Sequence, residues 1–210
     1  MASSVIEPLK NIHEEISETD DMFIIMQKLC TLNIQNLEQT TKVNDCRELG
    51  RAVDIIAGAG QLLFFAMAGS GGLAMDACNK FMRTGIPCMV QTDSHWQAMY
   101  ASLMKENDVV IAFSHSGSNK ELIESITIAR NKKAKVIAIT GSPISPIAKV
   151  SDVVLVSYGK ETMFRSEAMG SRVTALLVTD CLYTGVCLQR KDTTLQVLEK
   201  LRDSIARKRY

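Results

Sequence analysis

The sequence lacks the features that mark secreted, membrane-embedded or highly charged proteins. Its apolar runs fall well short of the roughly 18 residues that suggest a membrane span. The first residues, MASSVIEPLKNIHEEISETDD, are too polar for a signal peptide. The net charge is +1, from 24 basic and 23 acidic side chains, so the overall charge does not indicate a nucleic-acid partner. These absences predict a cytoplasmic protein without a membrane contact.

The sequence is also poor in metal-binding and cofactor-binding patterns. None of its cysteines forms a C-x-x-C pair, and its three histidines, at positions 13, 95 and 115, do not complete a zinc-finger spacing. There is no G-x-G-x-x-G motif to indicate a dinucleotide. We therefore expect neither a metal nor a cofactor. Most cysteines lie in apolar stretches, where reduced and buried thiols are expected; they are Cys30, Cys46, Cys78, Cys88, Cys181 and Cys187.

Five short apolar runs, rich in β-branched residues, alternate with segments of helical spacing. Strands that are apolar on both faces and separated by helices indicate a parallel sheet covered on both sides. We predict an α/β fold, a doubly wound, flavodoxin-like sheet of five parallel strands with right-handed crossovers. The runs are QLLFFAMA (61–68), IPCMVQ (86–91), DVVIAFS (108–114), AKVIAIT (134–140) and SDVVLVS (151–157).

Extra helices are predicted at both ends of this core. The segment TDDMFIIMQKLCTLNIQNLEQTTK has a candidate N-cap at Thr19 or Asp20, and the next, DCRELGRAVDIIAGAG, ends in glycine. After the sheet, SRVTALLVTDCLYTGVCLQR predicts a long apolar helix and DTTLQVLEKLRDSIARKRY an amphipathic one. One sheet does not need this much apolar helical surface. We therefore expect a homodimer or a homotetramer.

The order of the elements also predicts where a ligand binds. Doubly wound sheets bind ligands beyond the carboxyl ends of their strands, at the point where the strand order reverses. In the flavodoxin-like order this point lies between the first and third strands. The turns richest in serine and glycine, 68–72 and 114–118, follow those two strands. The sequence therefore places one small-molecule site between these two turns.

The second turn has the composition of an anion-binding loop. A helix N-terminus offers unpaired N–H groups and a partial positive charge. Gly117 lets the backbone approach closely, and the hydroxyls of Ser114, Ser116 and Ser118 can donate to anionic oxygens. The alternative is an ordinary helix start, in which Ser118 and Glu121 form a capping box. A cap needs one serine and this loop has three, which favours a phosphate ester.

Several segments carry a resemblance to a known family. AGSGGLAMDACNKFMRTG, TDSHWQAM, DVVIAFSHSGSNKELIE, VIAITGSPISPIAKVSD and ETMFRSEAMGSR together resemble the sugar isomerase (SIS) domain, from about Ser17 to Leu188. The segments T-D-x-H-x-Q and E-T-x-F-R-S-x-x-M-x-S-R resemble the effector-binding domain of RpiR-family bacterial transcriptional regulators. Their pattern is similar to that of repressors that respond to N-acetylmuramic acid 6-phosphate.

This resemblance implies a set of ligand-binding residues. Serines of the two turns match sugar-phosphate contacts, Asp93 and His95 match positions near sugar hydroxyls, and Glu161 matches an acidic residue that faces the sugar carbons in isomerases. Arg165 and Ser166 are implied to contact the ligand or a neighbouring subunit. The full implied set is Gly69, Ser70, Asp93, His95, Ser114, His115, Ser116, Gly117, Ser118, Glu161 and Arg165.

The sequence departs from the family pattern in three ways. Ala66 and Ala68 stand where glycine is usual, and Glu167 stands where a small residue is common. Regulators of this family also carry an N-terminal helix-turn-helix domain, which the sequence before Ser17 does not contain. We interpret residues 1–16 as the remnant of a linker and residues 17–210 as the SIS domain with its flanking helices. DNA binding would then require the helix-turn-helix domain that is missing here.

Three functions remain open at this point. The resemblance favours a sensor that binds a sugar phosphate, with an amino-sugar 6-phosphate as the leading candidate. An aldose–ketose isomerase would instead need a base within reach of the sugar carbons, for which Glu161 is the candidate, with His95 or His115 as the acid. A module for assembly alone would leave the cleft empty.

Overall fold

A parallel β-sheet forms the centre of the computed structural model, which describes residues 16–160 and 170–206. The five strands lie in the order β2-β1-β3-β4-β5, and every pair is parallel. This confirms the predicted doubly wound, flavodoxin-like topology with its reversal between β1 and β3. The strands are β1 (Gln61–Ala66), β2 (Cys88–Gln91), β3 (Asp108–Ser114), β4 (Lys135–Thr140) and β5 (Val153–Val156).

Helices cover both faces of the sheet in the described part of the chain. One face of the sheet, which includes Phe64 and Ile111, packs against α2, α3 and α7. The other face, which includes Leu63 and Val110, packs against α4 and α5. The helices are α1 (Met22–Val43), α2 (Cys46–Ala57), α3 (Gly71–Phe81), α4 (Ser94–Leu103), α5 (Lys120–Asn131), α6 (Pro146–Lys149), α7 (Arg172–Gln189) and α8 (Lys191–Ala206).

The burial of the strands explains why the sheet is parallel. All seven residues of β3 are buried, as are five of the six residues of β1. Such strands expose neither face to water, which is the condition met by a parallel sheet between two layers of helices. The edge strand β2 is more exposed than these central strands.

Helix α1 begins one or two residues later than the sequence predicted. Its N-cap is Asp21, whose Oδ1 accepts a hydrogen bond from Ile24 N at 2.9 Å. Asp20 is instead engaged by Lys28 Nζ at 2.8 Å, and this bond holds the pKa of its carboxyl below the usual value. The prediction of Thr19 or Asp20 was therefore wrong. The predicted glycine end of α2 is confirmed, since Gly58 is its C-cap.

The burial of the cysteines differs from the prediction, whereas their free thiol state agrees with it. All six are free thiols, as expected, but Cys30, Cys46 and Cys181 are exposed and only Cys78 is fully buried. The expectation of mostly buried thiols was wrong because an apolar stretch that folds as a helix still turns some of its residues outward. Cys88 and Cys187 are partly buried.

None of the helices in the described ranges, 16–160 and 170–206, combines the length and the apolar character needed to cross a lipid bilayer. In the same ranges, no cluster of three or more histidine, cysteine, aspartate or glutamate side chains is arranged to hold a metal ion.

The partly buried thiol of Cys88 should react slowly with alkylating reagents. Burial, and after it the neighbouring Cys78 thiol, raises the pKa of Cys88 to about 12. Because the thiolate is the nucleophile, Cys88 should react with iodoacetamide at pH 8 about 100-fold more slowly than the exposed thiols. Mass spectrometry of the alkylated peptides measures this ratio. Labelling in denaturant is the control, and rapid labelling of Cys88 in the folded protein would contradict the burial described here.

Candidate functional site

A cleft opens at the carboxyl ends of β1 and β3, where the strand order reverses. Its volume is about 560 Å³, and a small inner extension runs toward the start of α7. This is the position that the strand order predicted. The cleft is lined by Met67, Ala68, Gly69, Ser70, Phe113, Ser114, His115, Ser116, Asn119, Leu122 and Arg172, and its extension adds Leu73, Ile139, Ser157, Ser171 and Ala175.

The serines of the second turn form a hydrogen-bonded loop at the cleft. Ser114 is the last residue of β3, and its buried Oγ accepts from Gly117 N at 3.2 Å. Ser116 Oγ accepts from Ser118 N at 3.3 Å and from Ser118 Oγ at 3.0 Å. An oxygen that accepts twice still has its own proton to donate. The exposed Ser116 hydroxyl is therefore available to an acceptor in the cleft.

The start of α5 differs from the capping box considered above. Asn119 is the N-cap, and its Oδ1 accepts from Leu122 N at 2.8 Å. The pairing of Ser118 with Glu121 was therefore the wrong interpretation of this helix start. Because Asn119 already caps the N-terminus of α5, the serines before it are not needed as caps. Their hydroxyls lie just before the N-terminus of α5. This helix has 12 residues, and the positive end of its dipole attracts anions.

Gly117 is required by the shape of the loop. Its φ is +62°, in the left-handed region that disfavours a side chain. A Cβ at this position would also meet Ser145 Cβ at 2.5 Å and Thr140 Oγ1 at 2.8 Å. Its carbonyl accepts from Ile147 N at 2.9 Å, which ties the loop to α6.

His115 is held against the turn that follows β4. Its carbonyl accepts from Gly141 N at 2.9 Å and from Thr140 Oγ1 at 3.3 Å. A Cβ on Gly141 would lie 2.7 Å from the His115 ring, so the ring rests on the backbone of that turn. The half-buried His115 thus lines the cleft instead of extending into solvent.

The first turn approaches the same cleft from β1. Residues 68–70 form one 3₁₀ turn that leads into α3, and Ser70 N donates to Met67 O at 3.1 Å. Ala68, one of the two alanines that stand where the family usually has glycine, has a φ of +47°. This left-handed conformation explains why glycine is usual at that position. Ser70 and Gly69 lie in the cleft as predicted from the sequence.

Arg172 lies in the cleft and was not identified from the sequence. It is the first residue of α7 and lines both the cleft and its inner extension. A Cβ on Gly69 would lie 3.2 Å from Arg172 Nη2, so the guanidinium lies beside the first turn. Its only sequence signal is that it ends the segment ETMFRSEAMGSR. Among the described lining residues, it is the one side chain with a permanent positive charge.

The structure does not bring Asp93 and His95 into the cleft. Asp93 is the N-cap of α4, where its Oδ1 accepts from Trp96 N at 3.0 Å. His95 follows it on α4, and both side chains are exposed. The implied positions Glu161, Arg165 and Ser166, and the departure Glu167, lie outside the described residues.

Comparison with known proteins assigns this architecture to a family. In doubly wound sheets, a cleft at the reversal point is a common position for a small-ligand site. The family model described as SIS domain matches residues 55–184. The chain therefore belongs to the SIS-domain family, which confirms the resemblance carried by its motifs.

Several relatives of this chain are named as transcriptional regulators. An uncharacterized HTH-type transcriptional regulator of Caldanaerobacter subterraneus is 34% identical over 199 residues, which cover 95% of this chain and 71% of the relative. The Vibrio vulnificus NanR protein complexed with ManNAc-6P matches with a TM-score of 0.79 and 26% identity, over 90% of this chain and 71% of that one. The sugar isomerase domain of the RpiR transcription factor from Sphaerobacter thermophilus shares the fold, with a TM-score of 0.77, 21% identity and coverages of 84% and 97%.

Gly117→Ala tests the geometry of the serine loop. The left-handed φ and the contacts with Ser145 and Thr140 should together cost at least about 2 kcal/mol. For a chain of this size, that corresponds to a Tm lowered by roughly 4–8 °C. Differential scanning calorimetry measures the change. Gly50→Ala on α2 is the control, because a Cβ there meets nothing within 4 Å; an equal Tm for the two variants would contradict the loop geometry.

Proposed function

We propose that this chain is the sugar-phosphate-binding effector domain of a DNA-binding regulator of carbohydrate metabolism, and that it is a sensor and not an isomerase. The observation that carries the proposal is the composition of the cleft. Serine hydroxyls and the N-terminus of α5 lie on one side, and Arg172 lies beside the first turn. This combination suits a ligand with a dianionic ester at one end and hydroxyl groups along its body.

The energetics are adequate for such a ligand. A hydrogen bond to a charged group contributes about 1.5–3 kcal/mol. Two such bonds, from the hydroxyls of Ser114 and Ser116, would supply about 3–6 kcal/mol of the roughly 8 kcal/mol of micromolar binding. An arginine adds a planar set of donors that matches phosphate geometry. The dianion would thus meet both hydroxyl and guanidinium donors.

The family relationships favour an amino-sugar 6-phosphate as the ligand. The NanR protein of Vibrio vulnificus, a structural relative at 26% identity, is complexed with ManNAc-6P. Other relatives are named as HTH-type transcriptional regulators. We accordingly propose a cytoplasmic homodimer or homotetramer in which residues 17–210 bind the ligand and residues 1–16 belong to a linker. A helix-turn-helix domain would then carry out the DNA binding.

The lining of the cleft favours a sensor over an isomerase. An isomerase must remove a proton from carbon, which needs a base of tuned pKa within reach of the substrate. No carboxylate is present among the lining residues that the structure describes. An isomerase would therefore need Glu161 as its base. His115, which lines the cleft, would be the acid.

Ser116→Ala is the direct test of phosphate binding at the second turn. Loss of one donor to a charged group should weaken sugar-phosphate binding by about 1–3 kcal/mol, while the exposed position leaves the fold intact. Titration calorimetry with ManNAc-6P and a panel of other sugar 6-phosphates measures the affinities. Ser102→Ala on α4, whose hydroxyl bonds only Met99 O, is the matched control.

The same proteins also separate the three functions. A wild type that binds no sugar phosphate would contradict the proposal and favour a module for assembly. Conversion of an aldose phosphate to a ketose phosphate that is lost in Glu161→Gln would favour the isomerase. Equal affinity in Ser116→Ala and the wild type would remove the serine loop from the site.

Arg172→Gln tests the guanidinium. Removing the charge while keeping a polar side chain should weaken sugar-phosphate binding by about 1.5–3 kcal/mol. Because charge interactions are screened by salt, the affinity of the variant should also fall less steeply than that of the wild type as ionic strength rises. Calorimetry at several NaCl concentrations measures both effects. Arg47→Gln, an exposed position on α2, is the control, and a salt dependence unchanged in Arg172→Gln would exclude Arg172 from the site.

A further inference from the structure

Helix α1 presents a row of polar side chains to the far edge of the sheet. Asn36 and Thr40 lie four residues apart, and Asn44 follows at the C-cap, so the three lie along one side of the helix. Asn36 is 1% exposed and Thr40 is 2% exposed. Amide and hydroxyl groups this deeply buried are costly unless they are hydrogen-bonded. We call these three residues the α1 ladder.

Asn44 pairs with β5 as a neighbouring strand would. Val156 N donates to Asn44 Oδ1 at 2.8 Å, and Asn44 Nδ2 donates to Val156 O at 2.8 Å. β5 is an edge strand of the sheet. This side-chain amide therefore satisfies both backbone groups of the last residue of an edge strand.

The other two residues act beyond the end of the strand. Tyr158 N donates to Thr40 Oγ1 and Lys160 N to Asn36 Oδ1, both at 3.2 Å. Asn36 Nδ2 also reaches Gly170 O at 3.5 Å. Four helical residues advance by about 6 Å and two extended residues by about 6.6 Å. This match in spacing lets successive ladder residues bond every second N–H of the extended segment.

The segment held in this way borders the cleft. Residues 156–160, which we call the β5 extension, include Ser157, which lines the inner part of the cleft together with Ser171 and Arg172. On its other side, Tyr158 O accepts from Thr174 Oγ1 at 2.8 Å. A Cβ on Gly159 would lie 2.5 Å from Ser171 N. The β5 extension is therefore clamped between α1 and the first turn of α7.

Protection of the sheet edge does not account for the whole ladder. β5 ends at Val156, so Asn44 is the one residue of the ladder that bonds the edge strand. Thr40 and Asn36 bond backbone that belongs to no strand, and Asn36 contacts both Lys160 and Gly170. Their common effect is to fix the backbone that leads into and out of residues 161–169, next to Arg172.

We propose that Thr40 and Asn36 are positioning residues for the ligand site. Through these two residues, ligand binding in the cleft is coupled to the stability of α1. The proposal rests on the proposed function, since it concerns the same ligand. Through the β5 extension, the ladder holds Ser157 and the Ser171–Arg172 turn in the arrangement that binds the anion. Because coupling between two sites is reciprocal, a ligand that favours this arrangement also stabilises α1. The ladder would thus carry the ligand signal to α1.

Substitutions at Thr40 separate positioning from packing. Thr40→Val keeps the volume but removes the acceptor for Tyr158 N, whereas Thr40→Ser keeps the acceptor. Thr41→Val is the matched control, because Thr41 is exposed on the same helix and its hydroxyl bonds only Glu38 O. Calorimetry with ManNAc-6P should give about fivefold to tenfold weaker binding in Thr40→Val. Thr40→Ser and Thr41→Val should bind like the wild type.

Hydrogen exchange gives a readout that does not need the ligand. In Thr40→Val, exchange should rise at residues 157–160 and also at residues 171–175, while the strands of the sheet keep wild-type protection. Unchanged exchange at 171–175 would overturn the proposal, as would equal ManNAc-6P affinity in Thr40→Val and the wild type. If the wild type binds neither ManNAc-6P nor inorganic phosphate, the proposed function fails, and the exchange at 171–175 still decides whether the ladder positions the α7 turn.

Discussion

The parallel pairing of β1 with β3 is the constraint on which the rest of the structure depends. The register pairs Ala66 with Phe113, so both strands end at the same level of the sheet. The chain must leave the two strands toward opposite layers of helices, and a gap opens between the departing turns. Both turns therefore face one space, although about 45 residues separate them in the sequence. The cleft results from the topology, and the side chains of the turns determine its chemistry.

The chemistry of this cleft comes from fixed donors more than from titrating groups. The α5 helix is capped by its own Asn119, which leaves the serines before it available to a ligand. Gly117 lets the turn pack directly on Ser145 and Thr140, so the donors are held by close contact with neighbouring backbone and hydroxyls. Donors that are already in place lose little conformational entropy when an anion binds. Such a cleft has the donors that an anionic ligand requires.

The cleft is also connected to the periphery of the domain. Arg172 starts α7, which packs on α2 and α1, and the β5 extension next to it is bonded to α1 by buried amide and hydroxyl groups. Hydrogen bonds have a restricted geometry, and here they join α1 to backbone that borders the cleft. Under the proposed function, this domain must influence a DNA-binding domain. The α1 ladder is the route that we propose for this coupling.

The sequence by itself determined the sheet, its reversal point and the serine loop, because each is encoded locally: apolar runs set strands, and serine–glycine turns follow two of them. It also led to the SIS family through contiguous motifs. Only the tertiary structure decided that Arg172 lies in the cleft and that Thr40 and Asn36 bond the β5 extension. Arg172 and Gly69 are about 100 residues apart, and Asn44 and Val156 are separated by 112. No periodicity or motif records such a pairing, since only the packing of α1 and α7 against the sheet brings these residues together.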